Sequence, residues 1–178
     1  MNHPAGSNSQ CGPPPISLRP EQPGDESLLF EIYASTREEE LALTNWDGPM
    51  RRAFLEQQFK AMVRGYRSMF PSGDFLVIEL DGRSVGRMVL HRSADEIRVV
   101  DLALLPAYRN RGIGTLLMRQ VCLEAAKAGK PVRLSVLKNN RAIHWYERLG
   151  FAKIGELNIY DEMEWRSVAG TGLISPTG

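Results

Sequence analysis

Two β-rich runs, Phe75-Leu76-Val77-Ile78-Glu79-Leu80 and Arg83-Ser84-Val85-Gly86-Arg87-Met88-Val89-Leu90-His91, flank the dipeptide Asp81-Gly82, and this arrangement restricts the fold more than any other stretch. Asp-Gly favours the tight turn whose twist matches that of its flanking strands, so the two runs pair antiparallel. Ala94-Asp95-Glu96 makes a second short turn before Ile97 to Leu105, and three consecutive antiparallel strands result. The next connection is of another kind. Ile113, Leu116, Leu117, Val121 and Ala125 fall on one helical face, Gly129 ends the helix, Pro131 prevents continuation, and Val132 to Val136 reads as a strand. A strand reached through a helix lies parallel to its predecessor.

Ile16 to Pro20 alternates apolar and polar residues and predicts a first strand, and Pro23-Gly24-Asp25 opens a helix carrying Leu28, Leu29, Ile32 and Tyr33. Ser35 to Phe70 is helical in pattern, broken at Gly48-Pro49. Strand six is expected over Ala152 to Ile154 and strand seven over Asn158 to Trp165. The expected class is α/β (α+β): a mixed, mostly antiparallel seven-stranded sheet flanked by about four helices. With 178 residues, 43% of them hydrophobic, one domain is the default. It is expected over 16–166, between a disordered leader, 1–15, and a disordered tail, 167–178, both poor in apolar residues.

A net charge of +1 gives no basic field, so nucleic acid is not an expected partner. No apolar run is long enough for a membrane span, and no signal pattern is read at the N-terminus. Cys11 and Cys122 are far apart and match no zinc spacing, so no metal is expected and the thiols read as reduced, in a cytoplasmic protein. Cys122, among Val121, Leu123, Ala125 and Ala126, reads as packing. The excess of arginine over lysine points to a GC-rich bacterial gene.

Between the fourth predicted strand and its helix stands Arg109-Asn110-Arg111-Gly112-Ile113-Gly114-Thr115. A helix start leaves its first amides unpaired and carries partial positive charge, which suits a phosphate. Glycines at 112 and 114 allow backbone approach, and Arg109 and Arg111 add charge. The spacing is neither a Walker loop nor a Rossmann fingerprint, and taken alone it also fits a plain turn.

That turn follows Asp101-Leu102-Ala103-Leu104-Leu105-Pro106, and Asn139-Asn140-Arg141-Ala142-Ile143-His144-Trp145-Tyr146-Glu147-Arg148-Leu149-Gly150-Phe151 comes one helix and one strand later. The two motifs, in this order and at this separation, resemble the Gcn5-related N-acetyltransferases (GNAT), firmly from about Asp74 to Trp165 and more loosely from Ile16 to Pro71. The resemblance implies splayed strands four and five. It also implies acetyl-CoA as cosubstrate, its pantetheine arm bonded by the backbone of Leu102, Ala103 and Leu104, its pyrophosphate on Arg109, Asn110, Arg111, Gly112, Ile113, Gly114 and Thr115, and its arm contacted by Asn139. Asn139 reads equally well as a turn residue.

Tyr146 holds the family's general-acid position, where a phenol protonates the leaving thiolate and transfer is direct. Where some members place a basic glutamate this chain has Arg98, which cannot accept a proton. Asp101, expected to share a strand face with Ile97, Val99 and Ala103, is the candidate base; a structural Asp101 is the competing reading, and Glu96 is weaker. The segment from Ser35 to Phe70 is expected to cover the acceptor. Glu38, Glu39 and Glu40 there read as an amine lure or a solvated helix turn, and Trp46, Tyr66 and Phe70 as pocket or core. The implied activity is acetyl transfer to the primary amine of a small molecule or peptide. The alternative is a non-catalytic acyl-CoA-binding module, and a homodimer is left open.

Overall fold

The computed structural model describes residues 16–167, so the leader and all but the first residue of the tail lie outside the described region. The elements run β1 (Ile16–Pro20), a 3-10 turn (Pro23–Asp25), α1 (Glu26–Ala42), α2 (Gly48–Met69), β2 (Asp74–Leu80), β3 (Arg83–Arg92), β4 (Ile97–Leu104), a second 3-10 turn (Pro106–Tyr108), α3 (Ile113–Ala128), β5 (Val132–Leu137), α4 (Ala142–Arg148), β6 (Ala152–Leu157) and β7 (Tyr160–Trp165). The strands form one sheet in the order β1-β2-β3-β4-β5-β7-β6. All neighbours are antiparallel except β4 and β5, as a helical crossover requires.

The chain turns where its sequence supplies the chemistry. Asp81 and Gly82 both take positive φ at the β2–β3 hairpin. Asp47 caps α2 by accepting from the Met50 amide at 2.8 Å, with Pro49 in the first turn. Gly129, at φ 65°, closes α3 in the left-handed conformation. The largest difference from the expected boundaries lies at the last two strands. β6 extends to Leu157 and β7 begins at Tyr160, because Asn158 takes φ 54° and forms the turn of a hairpin with Ile159.

Two apolar layers hold the sheet. On one face Ile78, Met88, Leu90 and Leu134 pack against Leu117 and Met118 of α3, all 1% exposed or less. At about 1.5–3 kcal/mol per fully buried large side chain, this layer dominates the stability. Cys122 lies within it, its thiol pushed up to about 11 by burial, which removes it as a nucleophile. On the other face Leu29, Tyr33 and Phe59 of α1 and α2 pack over Val77.

Asp101 does not share a face with Ile97 and Val99. Val89 stands opposite Asp101 but Leu90 stands opposite Val99, so Val100 is an extra residue in β4, a bulge. The bulge reverses the alternation: Ile97 and Val99 join the α3 layer, whereas Asp101 meets Arg87, which in turn contacts Met62 of α2. Asp101 and Ala103, two residues apart beyond the bulge, do share a face.

Candidate active site

β4 pairs with β5 only through Ile97, Val99 and Arg98, opposite Val132, Leu134 and Arg133. Beyond Val99 the strands separate, because β5 runs on against β7 as far as Leu137 while β4 stays with β3 to Leu104. The separation opens a cleft of about 920 Å3. Leu102, Ala103 and Leu104 line one side of it, Leu137 to Arg141 the other, and the start of α3 the end. The sheet thus exposes hydrogen-bonding backbone along one edge of β4, inside the molecule rather than at its margin.

The turn into α3 is built for backbone approach. Asn110 and Gly112 take φ 60° and 79°, and a side chain at Gly112 would point into open space. The first backbone bond of α3 runs from the Leu116 amide to the Gly112 carbonyl at 2.9 Å, so the amides of Ile113, Gly114 and Thr115 have no place in the helical ladder. These residues line the cleft. Gly114 meets a separate demand: a Cβ there would lie 3.3 Å from the Trp145 ring, whose Nε1 donates to Thr115 Oγ1 at 3.1 Å. α4 is thereby locked onto the start of α3.

Arg109 lines the cleft, yet its guanidinium is engaged within the protein. Nε donates to the Leu104 carbonyl at 2.9 Å, and Nη2 donates to Ser35 Oγ at 2.7 Å and its carbonyl at 3.3 Å. It ties the end of β4 to α1, a contact across 74 positions that no local pattern signals. Arg111 lies over the Tyr108 ring, 5.6 Å from its centroid. Asn139, at φ 68°, turns the chain after β5 and lines the cleft, while Asn140 Oδ1 accepts from the Ala142 amide at 2.9 Å to start α4.

Tyr146 sits between Trp145 and Phe151, with ring centroids 4.7 and 5.7 Å away. Burial, reinforced by the negative charge of Asp101, pushes its phenol up to about 12. It therefore keeps its proton throughout the physiological range. Asp101 is raised above the ordinary carboxylate range by burial, against the pull of the adjoining Arg87 guanidinium. Glu96 is held by Arg98 at 2.8 Å and by Arg133 at 3.0 Å, and is committed to ion pairs. His144 is exposed and meets Glu147 at 3.0 Å.

The acceptor-side aromatics divide. Tyr66 lines a second cavity, its phenol pushed up to about 12 by burial, whereas Trp46 meets Phe54 edge-on and Phe70 packs tilted against His91. Glu38 and Glu40 line the first cleft. Among the described residues no group of three or more His, Cys, Asp or Glu side chains is placed to hold a metal, and no helix is long and apolar enough to cross a membrane.

Comparison with known proteins bears on this geometry. The family model for the acetyltransferase (GNAT) domain matches residues 71–153, which span β4, the turn, α3, β5 and α4. A curated relative, the uncharacterized N-acetyltransferase C663.13c of Schizosaccharomyces pombe, is 36% identical over 62 residues, covering 34% of this chain and 43% of that protein. The PaiA N-acetyltransferase of Thermoplasma acidophilum, solved in complex with coenzyme A, superposes with a TM-score of 0.64 at 21% identity, over 86% of this chain and 99% of its own. An acetyltransferase of Thermus thermophilus gives 0.62 at 15% identity, over 85% and 97%. The structural likenesses carry the fold, and within it residues 71–153 match the acetyltransferase (GNAT) domain.

Proposed function

We propose that this protein transfers an acetyl group from acetyl-CoA to a primary amine, directly and without an acyl-enzyme, in the cytoplasm. The observation that carries the reading is the open inner edge of β4, which leads to the unpaired amides at the start of α3. An extended, amide-bearing arm pairs with such an edge as a strand would, and a pyrophosphate suits the helix start. The cleft fits this group in size and in chemistry: about 920 Å3, with backbone donors at one end and no side chain at Gly112 or Gly114 to hold a phosphate away.

Leu102 and Ala103 would supply backbone to the arm, with the Leu104 carbonyl already bonded by Arg109, and Ile113, Gly114 and Thr115 would hold the pyrophosphate. Asn139 would contact the arm from across the cleft. The bound cosubstrate supplies an activated acetyl carbonyl. The amine nitrogen bonds to that carbonyl as the carbon–sulfur bond breaks. The amine's proton leaves to Asp101, directly or through one water, and the departing sulfur receives the Tyr146 proton. A raised carboxylate is a better base than a free one, and a phenol at about 12 is present as the acid.

The deciding experiment is the thermal midpoint with acetyl-CoA, coenzyme A and ATP, joined to an assay of released thiol over an amine panel. Ligand at about 100 times its dissociation constant adds roughly 2.7 kcal/mol. Shifts with both coenzymes and not with ATP, together with amine-dependent thiol release, are expected. No shift with either coenzyme would defeat the proposal.

A further inference from the structure

A second cavity, of about 550 Å3, lies on the other face of the sheet, lined by α1, α2, β2 and β3. Phe59, Val63, Phe75 and Val89 give it apolar walls. Its charges are unbalanced: Lys60, Arg64, Arg67 and Arg87 line it with only Glu21 and Glu26. Glu21 is committed to Arg67 at 2.9 Å, and Lys60 and Arg64 have no ion-pair partner among the described residues.

Arg87 sets the character of this cavity. It is 5% exposed, in the middle of a strand, and both of its contacts run through Nη2, to Asp101 and to the Met62 sulfur at 3.1 Å. Its Nε is buried without an acceptor. A guanidinium has five N–H donors and keeps its charge, and buried donors left unmet are costly unless water or a ligand completes them. Arg87 stands opposite Ala103 and reaches diagonally to Asp101, which stands opposite Val89. A cation and a carboxylate therefore lie side by side where β4 begins its open edge.

We infer that this cavity is the acceptor site and that it selects amines bearing their own carboxylate, of the α-amino acid type. The ligand carboxylate is held by Arg87, its amine lies beside Asp101, and its side chain lies between Phe59, Val63 and Phe75. A simple amine would bring one more cation into a cavity where cations already predominate, whereas a zwitterion also brings an anion for the unmet donor of Arg87, whose Nη2 alone is taken by Asp101. Lys60 and Arg64, exposed on α2, draw the anionic end inward. This inference rests on the acetyl-transfer reading.

The test uses matched sets, L-leucine and L-phenylalanine with their amides and decarboxylated amines. Two quantities are read: kcat/KM for thiol release from acetyl-CoA, and thermal midpoint in the presence of saturating coenzyme A. A charge-assisted hydrogen bond predicts roughly 10- to 100-fold preference for the acid over both analogues. The double variant Lys60→Ala/Arg64→Ala, which alters only exposed side chains, narrows that preference several-fold. Arg87→Gln combined with Asp101→Asn, which leaves no buried charge unpaired, is read by thermal midpoint alone, because Asp101 also serves the transfer step, and it abolishes the added shift that separates the acids from their amides and amines. Equal use of the three ligands, or preference for the decarboxylated amines, overturns the inference and leaves acetyl transfer standing. A coenzyme-induced shift without any added shift from the acids also overturns it. No coenzyme shift and no thiol release would defeat both readings.

Discussion

Gly86 is the position where fold and cleft are most tightly coupled, and Gly86→Ala tests that coupling. A Cβ there would lie 2.5 Å from the Ala103 carbonyl oxygen, 2.6 Å from Leu104 Cδ2 and 3.1 Å from Ile78 Cδ1. Favourable carbon contacts lie near 3.5–4.0 Å, so the overlap with Ala103 is about an ångström, and a backbone carbonyl cannot rotate out of the way. Either β3 or the open end of β4 must move. Overpacking of this kind costs about 1–3 kcal/mol, and a backbone clash belongs at the upper end. For a domain of this size, about 3 kcal/mol lowers the thermal midpoint by roughly 6–12 °C. Because Ala103 and Leu104 line the cleft, coenzyme A affinity falls as well. Gly65→Ala is the matched control: inside α2, with nothing within 4 Å of the added Cβ, it gains roughly 0.5–1 kcal/mol from helix propensity. Differential scanning calorimetry of both variants decides the matter. A Gly86→Ala midpoint within about 2 °C of the parent, by the same size scaling, would refute the close-approach argument.

Tyr146→Phe removes the proposed acid and keeps the packing against Trp145 and Phe151; turnover is expected to fall by roughly 10- to 1,000-fold with coenzyme A affinity nearly unchanged, and equal losses in both would make the tyrosine structural. Gly112→Val puts a β-branched residue at φ 79° beside the unpaired amides, so stability and coenzyme affinity both drop, and unchanged titration calorimetry would remove the phosphate assignment. Arg19 grips Asp25 through two nitrogens at 2.7 and 2.8 Å and holds its carboxyl at about 2, below the usual 3.8. Since the folded value is the lower one, the pair's contribution is complete above about pH 4 and disappears as pH falls toward 2. In acid titration of stability Asp25→Asn should flatten that stretch, and an unaltered acid limb would count against the pair.

The strands and crossover were legible because each is announced by local chemistry: Asp81-Gly82 for the hairpin, Gly129 and Pro131 for the end of α3, and the glycines at 112 and 114 for the turn. The bulge at Val100 left no such mark. Val99 and Val100 are both β-branched and suit a regular strand, so only pairing with β3 reveals the extra residue, and with it the true face of Asp101. Arg87 was hidden for a related reason. Only the fold shows that α2 covers its face of the sheet and that its guanidinium meets Asp101. The bond from Arg109 to Ser35 depends on residues brought together only by the fold.

An unpaired strand edge is ordinarily an aggregation hazard, since it offers a template to any other strand it meets. Here the template lies between two strands of the same sheet, with β5 and α4 on the far side. The facing strand, β5, is already paired along its other side with β7. Placed there, the edge leaves its backbone hydrogen bonds available inside a cleft rather than along an outer strand. The protein thus keeps a hydrogen-bonding edge open where the sheet itself, with Pro106 at the strand's end, limits what can pair with it.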